Sequence, residues 1–350
     1  MRLLGRLALI AALSVTAIEV VGHAMGDNDY FWIARQLFVS KGALRPVGDE
    51  GLTTYAPNSR IRSAATYRLS SLEGWVEFDC QFDTNRFGLI DTNHDGTAAV
   101  DYLVLGDSFL QGEGGCAWLT RDALPRDFPV VVNGGTSGAS PQTMAMLEAW
   151  LSPQLDIRNV AIVLISNDFA RTLTPDYWRN RQACLADGNC MPGVDATWAI
   201  DPGLSQDGLL ALSRRIFAER GLSAWGQVKR TLLYHSFTAK AYARYAALLR
   251  PAEGYDAETE AAFSANFAAF DRLRRKYPSM KVVLVNQRDE TGVLGRENME
   301  TQRVKRHFAD HAVDYLDCRL ELSDFMPADG HPNRGGYAKL FACLRTAIAR

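Results

Sequence analysis

Beyond residue 99 the chain alternates short, nearly continuous apolar runs with amphipathic stretches. Residues 100–105, 128–133, 159–165 and 281–285 are rich in Val, Ile and Leu and too short for buried helices, so each predicts a strand. Residues 312–317 predict a shorter fifth. Between them, residues 141–152 carry Met144, Met146, Leu147, Trp150 and Leu151 at helical spacing, and 336–349 predict a closing helix. Strands without polar alternation, separated by helices, imply a parallel sheet covered on both faces. The expected fold class is α/β: a three-layer α/β/α sandwich around a central parallel five-stranded sheet.

The flanking pattern is less regular. Residues 27–50 place Tyr30, Phe31, Ile33, Ala34, Leu37 and Phe38 near helical spacing and predict a helix. Residues 51–98 are polar and turn-rich, with short strands expected at Tyr67-Arg68-Leu69 and Trp75-Val76-Glu77-Phe78. An insertion of about 170–275 separates the third and fourth strands. Its first part, 171–207, reads as loop. Its second, 208–275, reads as helix, with Leu209, Leu210, Leu212, Ile216 and Phe217 on one stripe and Phe263, Phe267 and Phe270 on another. Arg214, Arg215, Arg220, Lys229 and Arg230 lie among these and read as a solvated charged face, or as a basic lid touching membrane or an anionic glycan.

The first residues change the compartment. Arg2 and Arg6 precede an apolar run that Glu19 interrupts, the pattern of an export signal or a membrane anchor. The clean run is shorter than the ~20 residues of a full span, and no good cleavage site follows it. The expected organisation is therefore 1–24 as signal peptide or anchor, 25–98 as an extension packed on the main domain, and 99–350 as the main domain. The protein is expected to be exported: periplasmic, or membrane-anchored and facing outward. Six cysteines agree with an oxidising compartment. Cys184 and Cys190 flank a polar loop suited to a local bridge, Cys318 and Cys343 could staple the C-terminal segment, and Cys80–Cys116 follows by elimination. No cysteine spacing resembles a zinc site, so metal is not expected. With a net charge of −2, nucleic acid is not an expected partner.

Four short segments sit where the predicted strands end: Gly106-Asp107-Ser108-Phe109, Asn133-Gly134-Gly135-Thr136-Ser137-Gly138-Ala139, Ser166-Asn167-Asp168, and Asp329-Gly330-His331-Pro332-Asn333. In a parallel sheet the carboxyl ends converge on one edge, where ligands bind. Ser108 needs a base to act as a nucleophile, and of the six histidines only His331 has a carboxylate at catalytic spacing. Asp107 and Asn133 read as turn-forming hydrogen-bonders, and Asp168 as a helix cap. The stretch 135–139 misses the Gly-x-Ser-x-Gly elbow because its fifth residue is Ala139.

The set resembles the SGNH/GDSL hydrolase superfamily over roughly residues 99–350, with the insertion unmatched. The resemblance implies a flavodoxin-like sheet and a serine esterase. Ser108 would be the nucleophile, His331 the general base and acid, and Asp329 the residue that orients the imidazole. The Ser108 and Gly138 N–H groups and the Asn167 side chain would form the oxyanion hole. Two positions depart from the usual pattern: Asp329 lies two residues before His331 rather than three, and Ser166 stands where many members have glycine. Tyr55-Ala56-Pro57-Asn58 and residues 84–89 resemble an N-terminal stretch of exported bacterial members. The expected substrate is an ester-bearing small molecule, glycan or lipid, first of all a short acyl group such as acetyl. The alternatives are an O-acyltransferase for envelope polysaccharide and a non-catalytic binding protein of the same fold.

Overall fold

The computed structural model describes residues 2–24, 34–47, 52–69, 73–90, 99–119, 128–171, 197–220, 223–239, 242, 254–291, 296–326 and 330–350. Two sheets organise it. The larger is five-stranded and all parallel, built from β6 (Val100–Gly106), β7 (Val131–Gly135), β8 (Ile157–Ile165), β10 (Lys281–Val285) and β11 (Leu316–Cys318) in the order β11-β10-β8-β6-β7. The smaller has the order β5-β4-β1-β9, from β1 (Ala34–Ser40), β4 (Arg60–Arg68), β5 (Gly74–Asp83) and β9 (Thr197–Ile200). A hairpin pairs β2 (Leu44–Val47) with β3 (Leu52–Tyr55).

The large sheet is apolar on both faces, and alternate residues of each strand go to opposite sides. Leu103, Leu105, Val160, Ile162, Leu164, Val282 and Leu284 pack with α3 (Pro141–Leu151), α6 (Ala257–Lys276) and α7 (Met299–Asp310). Val104, Ala161, Val163, Ile165, Val283 and Val285 pack with α2 (Ser108–Gln111) and α8 (Arg334–Ala349). Each buried Val, Leu or Ile is worth about 1.5–3 kcal/mol relative to an exposed one, so neither face could be left to solvent. The result is an α/β assembly compatible with three layers.

The helix expected over residues 27–50 is absent from its described part, 34–47; the rest lies outside the described residues. Residues 34–40 form a strand rather than a helix, and 44–47 form another. Strand β1 lies between β4, antiparallel, and β9, parallel. Phe38 and Val39 are both buried although they point to opposite faces, so the period of two that marks a strand is lost. The stretch 171–207 is also not all loop, because β9 completes the small sheet from within it.

The helical stretch of the insertion divides between the sheets. Helix α4 (Gln206–Arg220) packs on the small sheet through Leu209 and Ile216, which meet Phe38, Ala64 and Trp198. Buried Ser213 joins Thr66 Oγ1 at 2.8 Å and accepts from Arg68 Nε at 2.8 Å. Helix α6 instead joins α3 on the large sheet, where Tyr277 donates to buried Glu148 at 2.6 Å.

Disulfides join Cys80 to Cys116 and Cys318 to Cys343. The first ties β5 to the chain just after α2; the second ties β11 to α8. Both are compatible with an oxidising, exported location. Cys184 and Cys190 lie outside the described residues. Helix α1 (Arg2–Ala24) covers the N-terminal apolar run, and among the described residues no helix is long and apolar enough to cross a membrane.

Candidate active site

Ser108 opens α2 immediately after β6. Gly106 lets the turn form at close quarters: a Cβ there would lie 2.9 Å from the Val163 carbonyl oxygen and 2.7 Å from Leu110 Cβ. Asp107 caps the short helix, its Oδ1 accepting from Phe109 N at 2.8 Å. The serine is thus held, half-buried, at the carboxyl edge of the sheet.

His331 reaches it from the loop before α8. That loop is pinned by backbone and side chain together. Met326 N donates to the His331 carbonyl at 2.9 Å, and Asn333 N to the Asp324 carbonyl at 2.7 Å. Asn333 also caps α8, accepting from Gly336 N at 3.0 Å while donating to the Ser323 carbonyl at 2.7 Å. The outcome is a separation of 2.7 Å between His331 Nε2 and Ser108 Oγ. A second acceptor for the same hydroxyl, Asp107 Oδ2, lies at 3.4 Å. The shorter contact favours the imidazole as the proton's destination. With the hydroxyl donating to Nε2, the ring proton sits on Nδ1. Asp329, expected to orient the ring, lies outside the described residues.

Asn167 follows β8, on the other side of β6 from β7. Its Oδ1 accepts from Arg171 at 3.2 Å, and the same guanidinium nitrogen donates to Asp107 Oδ2 at 3.1 Å. Arg171 also donates to the Ala139 carbonyl at 3.0 Å and pairs with Asp168 Oδ1 at 3.0 Å. One side chain therefore holds together the turn after β6, the loop that follows Gly138, and the turn after β8. It also occupies the oxygen of the Asn167 amide, which leaves the NH2 as the end available to a ligand oxygen. Gly138 adopts a φ of +76°, and no atom lies within 4 Å of where its Cβ would be. The left-handed backbone there favours glycine, and the space beside it is open.

Behind the serine lie two carboxyl groups with no solvent exposure, Asp107 and Asp168. Burial first, and then the charge of Asp107, push Asp168 well above the usual carboxylate range; Arg171 and the Ile165 N–H oppose the shift. Asp168 Oδ2 accepts from Ile165 N at 3.0 Å, so its expected role at the turn after the strand is met by a backbone bond. Asn133 likewise spends its side chain on backbone, accepting from Gly135 N at 2.9 Å. Ser166, the departure from glycine, is fully buried and accepts from Gln287 Nε2 at 2.6 Å and Thr301 Oγ1 at 2.7 Å. Its hydroxyl ties β8 to the segments after β10.

Sequence reasoning missed the roof of this site. About 60 Å³ of open space adjoins Ser108, Ser137 and His331, and most of its wall comes from the small sheet and its hairpin: Arg35, Leu37, Val39, Leu44, Tyr55 and Phe78. Arg171 was also missed. Its only sequence signal is its position three residues after Asp168, which is common on any turn. Among the described residues, one group could hold a metal ion: Asp271 on α6 with His307 and His311 at the C-terminal end of α7, whose ligand atoms lie within 4.8 Å of one another. His307 is stacked on Phe267 at 3.9 Å, so this group is part of the packing between those helices. Comparison of the chain with models of protein families and with curated proteins finds no match.

Proposed function

We propose that the protein is a serine-dependent hydrolase of carboxylic esters, of the SGNH/GDSL type that its four motifs resemble, and exported from the cytoplasm. The observation that carries this reading is the 2.7 Å contact between Ser108 Oγ and His331 Nε2. Numbered along the chain, the parallel strands of the large sheet run 2-1-3-4-5, the flavodoxin-like order. The switch point of that order falls between β6 and β8, the strands that lead to Ser108 and Asn167.

In this mechanism His331 takes the Ser108 proton as the oxygen attacks the ester carbonyl. The oxyanion forms among the Ser108 N–H, the Gly138 N–H and the Asn167 amide, with each donor worth ~3 kcal/mol of transition-state stabilisation. His331 returns the proton to the leaving alcohol, and water then releases the acyl group from Ser108 by the reverse sequence. Asp329 would hold the imidazole and stabilise its cation. The substrate class that fits this reading first is an ester of a short acyl group such as acetyl.

A fluorophosphonate probe tests the reading. We expect stoichiometric labelling at Ser108, lost in Ser108→Ala and strongly slowed in His331→Ala, with ester turnover falling in parallel by roughly four orders of magnitude or more. Folded wild-type protein that takes up no probe at Ser108 overturns it.

A further inference from the structure

Apolar side chains stand exposed on two helices far from Ser108 in sequence. Helix α1 exposes Leu9, Ile10 and Leu13, each at 60%. Helix α5 (Ala224–His235) exposes Trp225, Val228 and Leu232, at 72, 48 and 55%. Those three positions are spaced i, i+3 and i+7, so they form one stripe. The helix carries Lys229 and Arg230 and no acidic residue.

A polar clamp joins the two helices. Glu19 Oε1 accepts from Ser236 Oγ at 2.6 Å and Thr238 N at 3.0 Å, and Oε2 accepts from Phe237 N at 2.8 Å. These donors follow directly on the C-terminal end of α5. Gly22 makes the approach possible, because a Cβ there would fall 2.1 Å from the Phe237 ring. The only acidic residue of α1 is thereby spent on the clamp. The exposed large apolar side chains of both helices are left without an acidic neighbour on their own helix.

We propose that α5, held against α1 by the Glu19 clamp, is a membrane-contact helix that lies on an anionic bilayer surface. Three observations favour lipid over a second copy of the chain. The exposed Trp at the start of the stripe is the amphipathic residue that settles at headgroup depth. Lys229 is exposed next to the stripe and the helix carries no acidic residue, which suits anionic lipid and repels an identical face. Helix α1, joined to α5 by the clamp, also exposes apolar side chains, and its sequence begins with the basic Arg2 and Arg6. The inference is independent of the chemistry proposed for Ser108.

The full chain is floated with vesicles of phosphatidylglycerol and phosphatidylethanolamine, and with neutral phosphatidylcholine vesicles. We expect binding to the anionic vesicles to fall about tenfold or more when Trp225, Val228 and Leu232 are all changed to Glu. Circular dichroism of the variant checks its fold. A second readout isolates α5 from α1: brominated lipid should quench a tryptophan signal that Trp225→Phe removes. Unchanged flotation of the triple variant, together with equal quenching in Trp225→Phe, overturns the proposal and leaves α1 alone at the bilayer. Wild-type dimers in solution that the triple variant abolishes, with vesicle binding unchanged, also overturn it and assign the stripe to a second copy.

Discussion

Arg171 shows what a single residue can organise without touching the nucleophile. Its guanidinium has planar, divergent donors, which is why it can bind Asp107, Asn167 and the Ala139 carbonyl at once. A lysine could neutralise the buried carboxylates but could not bridge all of these acceptors. Arg171→Lys is therefore expected to fold, to leave KM little changed, and to lower kcat by about tenfold to several hundredfold, up to the cost of a lost oxyanion donor. Equal loss in KM and kcat, or no loss, would show that the grip on Asn167 does not matter to turnover. Arg171→Ala is the harsher change: it leaves two buried carboxyl groups without their cation, which typically costs 3–5 kcal/mol (roughly). At this scale the sequence was legible where chemistry depends on residue type. Ser108 and His331, the serine and histidine that their motifs single out, lie 2.7 Å apart. Arg171 was not legible, because its role depends on where three separate turns meet.

At the scale of elements, the clamp between α1 and α5 has a definite pH dependence. Hydrogen bonds from Ser236 and from the Thr238 and Phe237 backbone hold the Glu19 carboxyl down to about 2, from an ordinary value of 4.5. A carboxylate with a depressed value favours the docked form above the ordinary value, and loses that contribution as pH falls toward the depressed one. The clamp is thus expected to persist at pH 4 and to loosen as pH approaches about 2. Hydrogen exchange at the Phe237 and Thr238 amides checks this: protection should drop in that low range, and Glu19→Gln should lower it already at neutral pH. Glu19 is only half-buried, so solvent screens the effect and the expected signal is local opening rather than global unfolding. Strand β1 is the opposite kind of element. Its local sequence favours helix, yet it is a strand because β4 and β9 supply its hydrogen bonds and α4 covers it. Tertiary context overrides local preference in such segments.

Across the whole molecule, the site is where the two sheets meet. The large sheet delivers Ser108 and Asn167, and the small sheet with its hairpin supplies the wall opposite them. The disulfide from Cys80 to Cys116 joins the two halves beside that meeting point. The cleft between them adjoins Ser108 and His331, where the acyl group of the proposed substrate would lie. In a series of nitrophenyl esters, kcat/KM is expected to fall steeply beyond the shortest chains. Leu44→Ala, which removes part of the hairpin's wall, should shift the optimum to longer acyl groups, since truncation leaves a cavity that packing recovers only in part. A flat chain-length profile in the wild-type protein would show that the acyl group does not occupy this space.

The sequence by itself determined the parallel core. Runs of Val, Ile and Leu without polar alternation can be buried only on two faces, and that requirement demands helices on both sides. It also placed Ser108, Gly138 and Asn167 at or just beyond the ends of those strands, the residue types on which the proposed acyl transfer rests. Only the tertiary structure decided that β1 is a strand, that β9 leaves the insertion to complete the small sheet, and that Arg171 binds three turns together. Each of these depends on contacts between segments far apart in the chain. Such contacts are set by which apolar faces and buried charges must find partners, and no local window contains that information.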